Sequence, residues 1–133
     1  MAHALQVKVA SLSPDMVELT APLAPNGNHM GTAFGGSLGA IAILSCYAWL
    51  FNRLDDGGKE CHVLIKSSHM DYIKPVTGDL HARCVFKNEV EIARVLQQFS
   101  RKGTARLYLE AEVIDTQNQV LCHFRGEFVA RKK

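Results

Sequence analysis

The feature that most constrains this fold is an uncharged, largely apolar run from Phe34 to Phe51, which includes the glycine pair Gly35-Gly36. Its eighteen residues reach the lower limit of length for a membrane-spanning helix. The run also contains Ser37, Gly39 and Ser45, and the rest of the chain supplies half-apolar strands that need a surface to cover. We therefore interpret the run as a helix enclosed by a sheet, which is also apolar on every side, and expect no membrane partner.

The predicted limits of this helix are about Gly36 and Leu54, a length of about 27 Å at 1.5 Å per residue. The segment Asp55-Asp56-Gly57-Gly58 is the expected stop, because glycine adopts the left-handed conformation that ends many helices. Upstream, Pro22 and Pro25 break regular structure and introduce a polar loop.

Much of the remaining sequence alternates between polar and apolar residues, as half-buried strands do. A weak alternation over Asp15–Leu23 predicts a short first strand, whereas residues 1–13 show little pattern. The long candidate strand His62–Ile73 has no cleanly apolar face. We expect that pattern if the helix covers one face and a partner subunit covers the other. Leu80–Phe86 alternates cleanly and predicts a strand with one buried face.

A second, shorter helix is predicted over Asn88–Phe99, because Asn88 can cap its start and Glu91 follows three residues later. Alternation then predicts a strand over Ala105–Val113, a hairpin at Asp115–Gln119 and a returning strand over Val120–Ala130. The sequence therefore predicts an α+β domain in which an antiparallel sheet of about five to six strands curls around the long helix.

Composition excludes several classes of protein. The 133 residues suit a single domain over residues 1–133, and 47% hydrophobic residues are too many for a disordered chain. A net charge of +2 gives no strong electrostatic case for binding nucleic acid. Because the start lacks the features of a secretory signal, we expect a cytoplasmic protein whose four cysteines are small, reduced core residues.

The glycine pair is the first candidate for chemistry. Gly35 and Gly36 have no side chains, so a ligand carbonyl can approach their backbone N–H groups closely. Such amides lack partners within the helix, and the helix dipole favours negative charge beside them. The tetrahedral oxyanion of acyl transfer suits this position, although the glycines could equally serve close packing of loop and helix.

Several segments, in the same order and spacing, resemble the hotdog-fold thioesterases. They are the run Asn28–Gly36, the apolar helix after it, and Tyr72–Asp79; Lys102–Arg106 and Gly126–Ala130 also fit. The likeness extends from about Ala21 to the C-terminus and is greatest to the thioesterase family typified by the YiiD C-terminal domain. The resemblance implies a hotdog fold, with a long central helix wrapped by a curved antiparallel sheet.

The resemblance further implies hydrolysis of an acyl group carried on coenzyme A or acyl carrier protein. It implies a homodimer, or a dimer of dimers, with sites at the interface and no cofactor beyond coenzyme A as part of the substrate. In related hydroxybenzoyl-CoA and phenylacetate-pathway thioesterases, His-Gly-Gly opens the helix and a helical carboxylate acts as base or nucleophile. Here Phe34 replaces that histidine, Ile43 occupies the acidic position, and Phe34–Leu54 contains no carboxylate. That mechanism therefore does not transfer to this chain.

Three polar residues are the remaining catalytic candidates beside the Gly36 amide. By its position in the resemblance, Asn28 would hold the water or the thioester carbonyl, or it could only cap its loop. His29 could act as a general base or serve as an ordinary loop histidine. Asp71 could act as the base across the dimer interface or pair with a basic neighbour.

The expected acyl path runs beside the central helix, and a basic segment is a candidate for the phosphates of coenzyme A or for an acidic carrier protein. A solvated basic turn is the alternative for that segment. The candidate substrate-binding residues are Thr32, Phe34, Gly35, Leu38, Tyr72, Arg101 and Lys102. The histidines and cysteines have no recognised zinc spacing, so no metal site is expected.

Two other functions fit the same sequence. A module that binds acyl-CoA or acyl carrier protein without turnover is favoured by the missing helical carboxylate. A hotdog enoyl hydratase or dehydratase ranks lower, because that chemistry also requires a histidine with an acidic partner.

Overall fold

A six-stranded antiparallel sheet packs on one face of a long helix within residues 2–54 and 61–133, the part of the chain that this computed structural model describes. This α+β arrangement is the predicted hotdog fold. The elements in chain order are α1 (Ala2–Leu5), β1 (Lys8–Leu12), β2 (Met16–Ala21), α2 (Gly35–Arg53), β3 (Cys61–Tyr72), β4 (Leu80–Val85), α3 (Glu89–Lys102), β5 (Thr104–Ile114) and β6 (Val120–Lys132), with a 3-10 turn at Ala24–Asn26.

The central helix α2 begins one residue before its predicted start, and the predicted stop at 55–58 lies outside the described residues. Its buried side packs mainly on β2, β4 and β5. The opposite side keeps a partly exposed apolar stripe within the chain, which includes Gly39, Ile43, Tyr47 and Phe51. By length and composition α2 is the one helix among the described residues that could span a membrane. Here its buried side forms part of the core.

The strand order is β1-β2-β4-β5-β6-β3, so β1 and β3 are the two edge strands. Strand β1 and the short helix α1 lie in the segment that the sequence left without a pattern. Four of the five β1 residues are exposed, and an edge strand without a buried face produces no apolar alternation.

The sheet has an inner face towards α2 and an outer face away from it. On β5 the inner residues Ala105, Leu107 and Leu109 are buried, whereas the intervening Arg106 and Tyr108 are exposed. This period-two pattern follows from strand geometry and confirms the predicted strand with one apolar face. On β6, too, residues such as Phe124 and Phe128 face the core, and the intervening Arg125 is exposed.

Helix α3 lies beside the first half of β5, which β4 does not reach, since β4 pairs only with Ala111–Val113. The Arg94 guanidinium donates to the carbonyl oxygen of Arg106 at 2.9 Å and so supplies a partner for that strand. The predicted cap at Asn88 is confirmed, because its side chain accepts from the Glu91 amide at 3.1 Å. Gly103 ends α3 in the left-handed conformation at φ 74°.

Candidate functional site

At the start of α2, two amides have no acceptor among the described residues. The carbonyl oxygen of Phe34, the N-cap residue, accepts from the amides of Ser37 at 3.0 Å and Leu38 at 3.1 Å. Within the described parts of the chain, the amides of Gly35 and Gly36 donate to no acceptor. They are therefore available to an external oxygen, as the first amides of a helix are.

Two aromatic side chains surround these glycines. A Cβ atom on Gly36 would lie 2.6 Å from Cε1 of Phe34, so the exposed Phe34 ring takes the space of a side chain there. The Tyr72 ring would lie 3.6 Å from a Cβ on Gly35, and its hydroxyl donates to the Gly35 carbonyl oxygen at 3.1 Å. The candidate residues Phe34, Gly35, Gly36 and Tyr72 are thus brought together.

The loop before α2 is held by its own backbone and by a residue that the sequence interpretation missed. The Phe34 amide donates to the carbonyl oxygen of Asn26 at 2.7 Å. Asn26 is buried, and its Nδ2 donates to the carbonyls of Leu5 at 2.9 Å and Pro22 at 2.8 Å. Its only sequence signal is an asparagine directly after a proline in a loop, which does not distinguish it from an exposed turn residue.

Asn28 and Thr32 form a compact polar turn next to the glycine pair in sequence. Asn28 Oδ1 accepts from the amides of Met30 at 2.8 Å and Thr32 at 3.2 Å, while its Nδ2 donates to Thr32 Oγ1 at 2.8 Å. These bonds fit the loop-capping role, and they leave the second Nδ2 hydrogen for a ligand or water. His29 is exposed in the same turn.

Asp71 lies on the outer face of β3, on the side opposite to Tyr72, because successive strand residues alternate. Its carboxylate contacts His69 Nε2 at 2.9 Å, and both side chains are more than half exposed. Within one chain, therefore, Asp71 points away from the sheet face on which Tyr72 meets Gly35.

A partly exposed apolar surface extends from the glycine pair along the open stripe of α2. The rings of Tyr47 and Phe51 stack at 5.0 Å between centroids on this side of the helix. The inner face of β3 is also largely uncovered, with Ile65 and Tyr72 40% and 56% exposed. Leu38, a candidate for acyl contact, is instead buried in the core.

Two of the buried cysteines, Cys46 and Cys122, have thiols whose pKa is raised. Burial, reinforced by the neighbouring Cys84 thiol, raises the pKa of Cys46 well above its ordinary value. Burial also raises the pKa of Cys122 to about 11. Both thiols therefore stay protonated near neutral pH, and the thiolate is the reactive form. Within residues 2–54 and 61–133, no three His, Cys, Asp or Glu side chains form a group that could hold a metal ion.

Arg101 and Lys102 are exposed in the last turn of α3. With Arg94, Gln97 and Gln98 they line a shallow groove of about 560 Å³. Arg94 and Gln98 also line a larger cleft on the outer face of the sheet. The structure thus separates this basic segment from the Gly35–Gly36 amides, which lie on the helix side of the sheet.

Comparison with known protein families and solved structures shows which proteins this chain resembles. Residues 1–132 match the family described as "Putative thioesterase (yiiD_Cterm)". A protein of unknown function from Chlorobaculum tepidum has a similar structure, with 31% identity and a TM-score of 0.91 over 99% of this chain and 86% of that one.

Two further solved structures share the fold at lower identity. A "Probable Thioesterase" from Pseudomonas aeruginosa has 23% identity and a TM-score of 0.84, over 98% of this chain and 86% of that one. A putative thioesterase from Shewanella oneidensis has 22% identity and a TM-score of 0.84, over 98% and 87%. A comparison with curated proteins finds no match.

Proposed function

Because the chain belongs to the putative thioesterase family of the YiiD C-terminal type, we propose that it hydrolyses an acyl thioester carried on coenzyme A or acyl carrier protein. The observation that carries this proposal is the pair of amides at Gly35 and Gly36, which have no acceptor among the described residues and lie at one end of the exposed apolar stripe of α2. The apolar stripe contacts the acyl chain, and the amides receive the thioester carbonyl oxygen.

In the proposed reaction, water adds to the carbonyl carbon, and the resulting oxyanion is stabilised by the Gly36 N–H and the helix dipole. The C–S bond then breaks, which releases the carboxylate and the thiol. Asn28 positions the water through the Nδ2 hydrogen that its loop leaves unused. His29 or Asp71 takes the proton from the water, since α2 contains no carboxylate for that role.

The proposed active form is a cytoplasmic homodimer, or a dimer of dimers, that requires neither metal nor cofactor. Among the described strands β3 is at the edge of the sheet, and it is exposed on both faces along most of its length, while the apolar stripe of α2 is partly exposed beside it. A second copy that extends the sheet at β3 would cover both. Because such an extension continues the inner and outer faces of the sheet, Asp71 lies on the outer face in both copies, and His29 is the first of the two proposed bases to test.

A thiol-release assay with a panel of acyl-CoA and acyl carrier protein substrates tests the proposal. Asn28→Ala, His29→Ala and Asp71→Asn examine the three roles, with Lys87→Ala, an exposed residue beyond β4, as the matched control. If all three variants keep turnover within about threefold of wild type, a change near 0.6 kcal/mol, the assigned roles are wrong. If no substrate in the panel releases a thiol, the proposal that the protein is a hydrolase is wrong.

A non-catalytic acyl-CoA or acyl carrier protein binding module is the second candidate. It is favoured by the absence of any carboxylate on α2 and by the hydrogen bonds that already occupy Asn28. Thermal stabilisation by acyl-CoA without thiol release would support the binder and contradict the hydrolase.

A further inference from the structure

Asn26 is a buried polar residue at the base of the loop that leads into α2, and it is only 1% exposed. Its carbonyl oxygen accepts from the Phe34 amide at 2.7 Å. The next residue, Gly27, forms a β-bridge with Ala33. These two contacts close the loop over residues 27–33, so Asn26 and Phe34 are held side by side at its base.

The side chain of Asn26 fixes this base to the rest of the chain. Its Nδ2 donates to the carbonyl oxygens of Pro22 at 2.8 Å and Leu5 at 2.9 Å. Leu5 is the last residue of α1, and directly after it the chain turns at Gln6 with a left-handed φ of 58°. A residue other than glycine keeps that conformation only where surrounding contacts support it. The Asn26 amide therefore joins the base of the loop to a turn that requires such support.

Stability alone does not explain an asparagine at this position. Oδ1 of Asn26 is buried and accepts no hydrogen bond from the described residues. A buried acceptor without a protein partner lowers the stability of a fold, and each such group calls for an explanation. The same side chain makes two donations that fix the backbone beside the candidate site. This combination indicates that the placement of that backbone is what the residue serves.

Both halves of the candidate site are attached to this base. On one side, the loop carries Asn28 and His29, which are proposed to position the water and to take its proton. On the other side, Phe34 is the N-cap residue of α2 and directly precedes the glycine pair. A rotation of the peptide groups at the base would turn the first amides of α2 away from the oxyanion. Hydrogen-bond donors stabilise a transition state only when they point at the atom where charge develops.

We infer that Asn26 is a positioning residue that acts on catalysis through Phe34 and the glycine pair, without touching the substrate. The inference rests on the proposed thioesterase function. Misplaced amides lower kcat, because the donors bind the oxyanion of the transition state more strongly than the carbonyl of the substrate. None of the hydrogen bonds of Asn26 involves the apolar stripe of α2, so KM should change little.

Asn26→Ala removes both Nδ2 donations and tests this role in the full-length protein. We expect kcat for an acyl-CoA to fall about tenfold and KM to change by less than about twofold, because small displacements of a catalytic donor are costly. Asn26→Ser, which keeps one donor on a shorter side chain, replaces the alanine variant if the latter does not fold.

The matched control is Trp49→Phe. Trp49 is also buried, and its Nε1 donates to the carbonyl oxygen of Pro14 at 3.1 Å, so the variant likewise loses a hydrogen bond from a buried side chain to the backbone. Trp49 lies on α2 about 20 Å from Gly36 along the helix axis. The control should lower the melting temperature without lowering kcat.

A measurement without turnover separates this role from the proposed function. In heteronuclear NMR spectra of the labelled protein, the Asn26 variant should shift the amide signals of Gly35 and Gly36, whereas Trp49→Phe should leave both signals in place. If neither glycine signal moves, the inference is wrong. It is also wrong if kcat falls no further in the Asn26 variant than in Trp49→Phe, or if KM rises at constant kcat. Absence of turnover in the wild type would contradict the proposed hydrolase, while the glycine signals would still decide whether Asn26 positions the amides.

Discussion

The hydroxyl of Tyr72, the last residue of the edge strand β3, donates a hydrogen bond to the carbonyl oxygen of Gly35 in the first turn of α2, over 3.1 Å. This bond joins the sheet edge to the amides that are proposed to hold the oxyanion. Any movement of β3 can therefore alter the orientation of those amides.

Replacing Tyr72 with phenylalanine keeps the ring against Gly35 and removes only this bond. We expect kcat to fall about threefold to tenfold while KM changes little, because a single hydrogen bond contributes about 0.5–1.5 kcal/mol. Steady-state kinetics on one acyl-CoA would measure the split. A rise in KM at constant kcat would instead identify the hydroxyl as a ground-state binding group.

Gly36→Ala tests whether the glycine serves ligand approach or only the backbone. The added Cβ would lie 2.6 Å from Phe34 Cε1, so the exposed ring would have to move, and the methyl group itself would crowd a ligand at the amide. We expect kcat/KM to fall about tenfold or more, whereas helix propensity favours alanine over glycine by about 1 kcal/mol. Kinetics and thermal melting, measured together, should show lower activity without lower stability.

The control for that variant is Gly36→Ala/Phe34→Ala, which removes the clash. Partial recovery of activity would assign the loss to the displaced ring. Loss of stability in Gly36→Ala, in proportion to the loss of activity, would contradict the catalytic interpretation.

Much of the fold could be predicted from the sequence because its patterns are local. The long helix was predicted over Gly36–Leu54 and is found at Gly35–Arg53, and the Asn88 cap lies where the sequence placed it. Strand β1, at Lys8–Leu12, could not be predicted, since an exposed edge strand has no apolar alternation to detect.

The site was less predictable because it depends on which face each β3 residue occupies. Val63 pairs with Ala130 and Tyr72 pairs with Cys122, so both residues of β3 lie on the inner face. In a regular strand, two residues that are nine positions apart would lie on opposite faces. The extra residue at Lys66 reverses the alternation between them, and a one-residue change moves side chains to the opposite face. Counting along the sequence therefore could not place Asp71 on the outer face.

The buried thiol of Cys122 predicts a loss of stability in alkali. Burial raises its pKa from 9.0 to about 11, so the unfolded chain releases the proton first as pH rises. The contribution to stability is complete below pH 9 and is lost as pH rises from about 9 to 11. Urea unfolding across this range should show that the stability difference between wild type and Cys122→Ala narrows.

The matched control is Val113→Ala, because Val113 is buried opposite Cys122 on β5 and has no titratable group. Its effect on the free energy of unfolding should be the same at pH 8 and pH 10.5. A parallel change in both variants would assign the alkaline loss to other groups.

The open stripe of α2 predicts an interface that a single charge can disrupt. Tyr47 is 37% exposed and stacks on Phe51, so Tyr47→Asp places a carboxylate within the apolar surface that a second copy is proposed to cover. Burial of an unpaired carboxylate costs several kcal/mol, and we expect the dimer dissociation constant to rise on the order of 100-fold. In sedimentation velocity the wild type should form dimers, whereas the variant should approach the 14.7 kDa mass of one chain.

The control for this variant is Val90→Asp, at an 82% exposed position on α3, which should sediment as the wild type does. A monomeric wild type, or a Tyr47→Asp variant with unchanged mass, would show that this stripe is not an interface between copies of the chain.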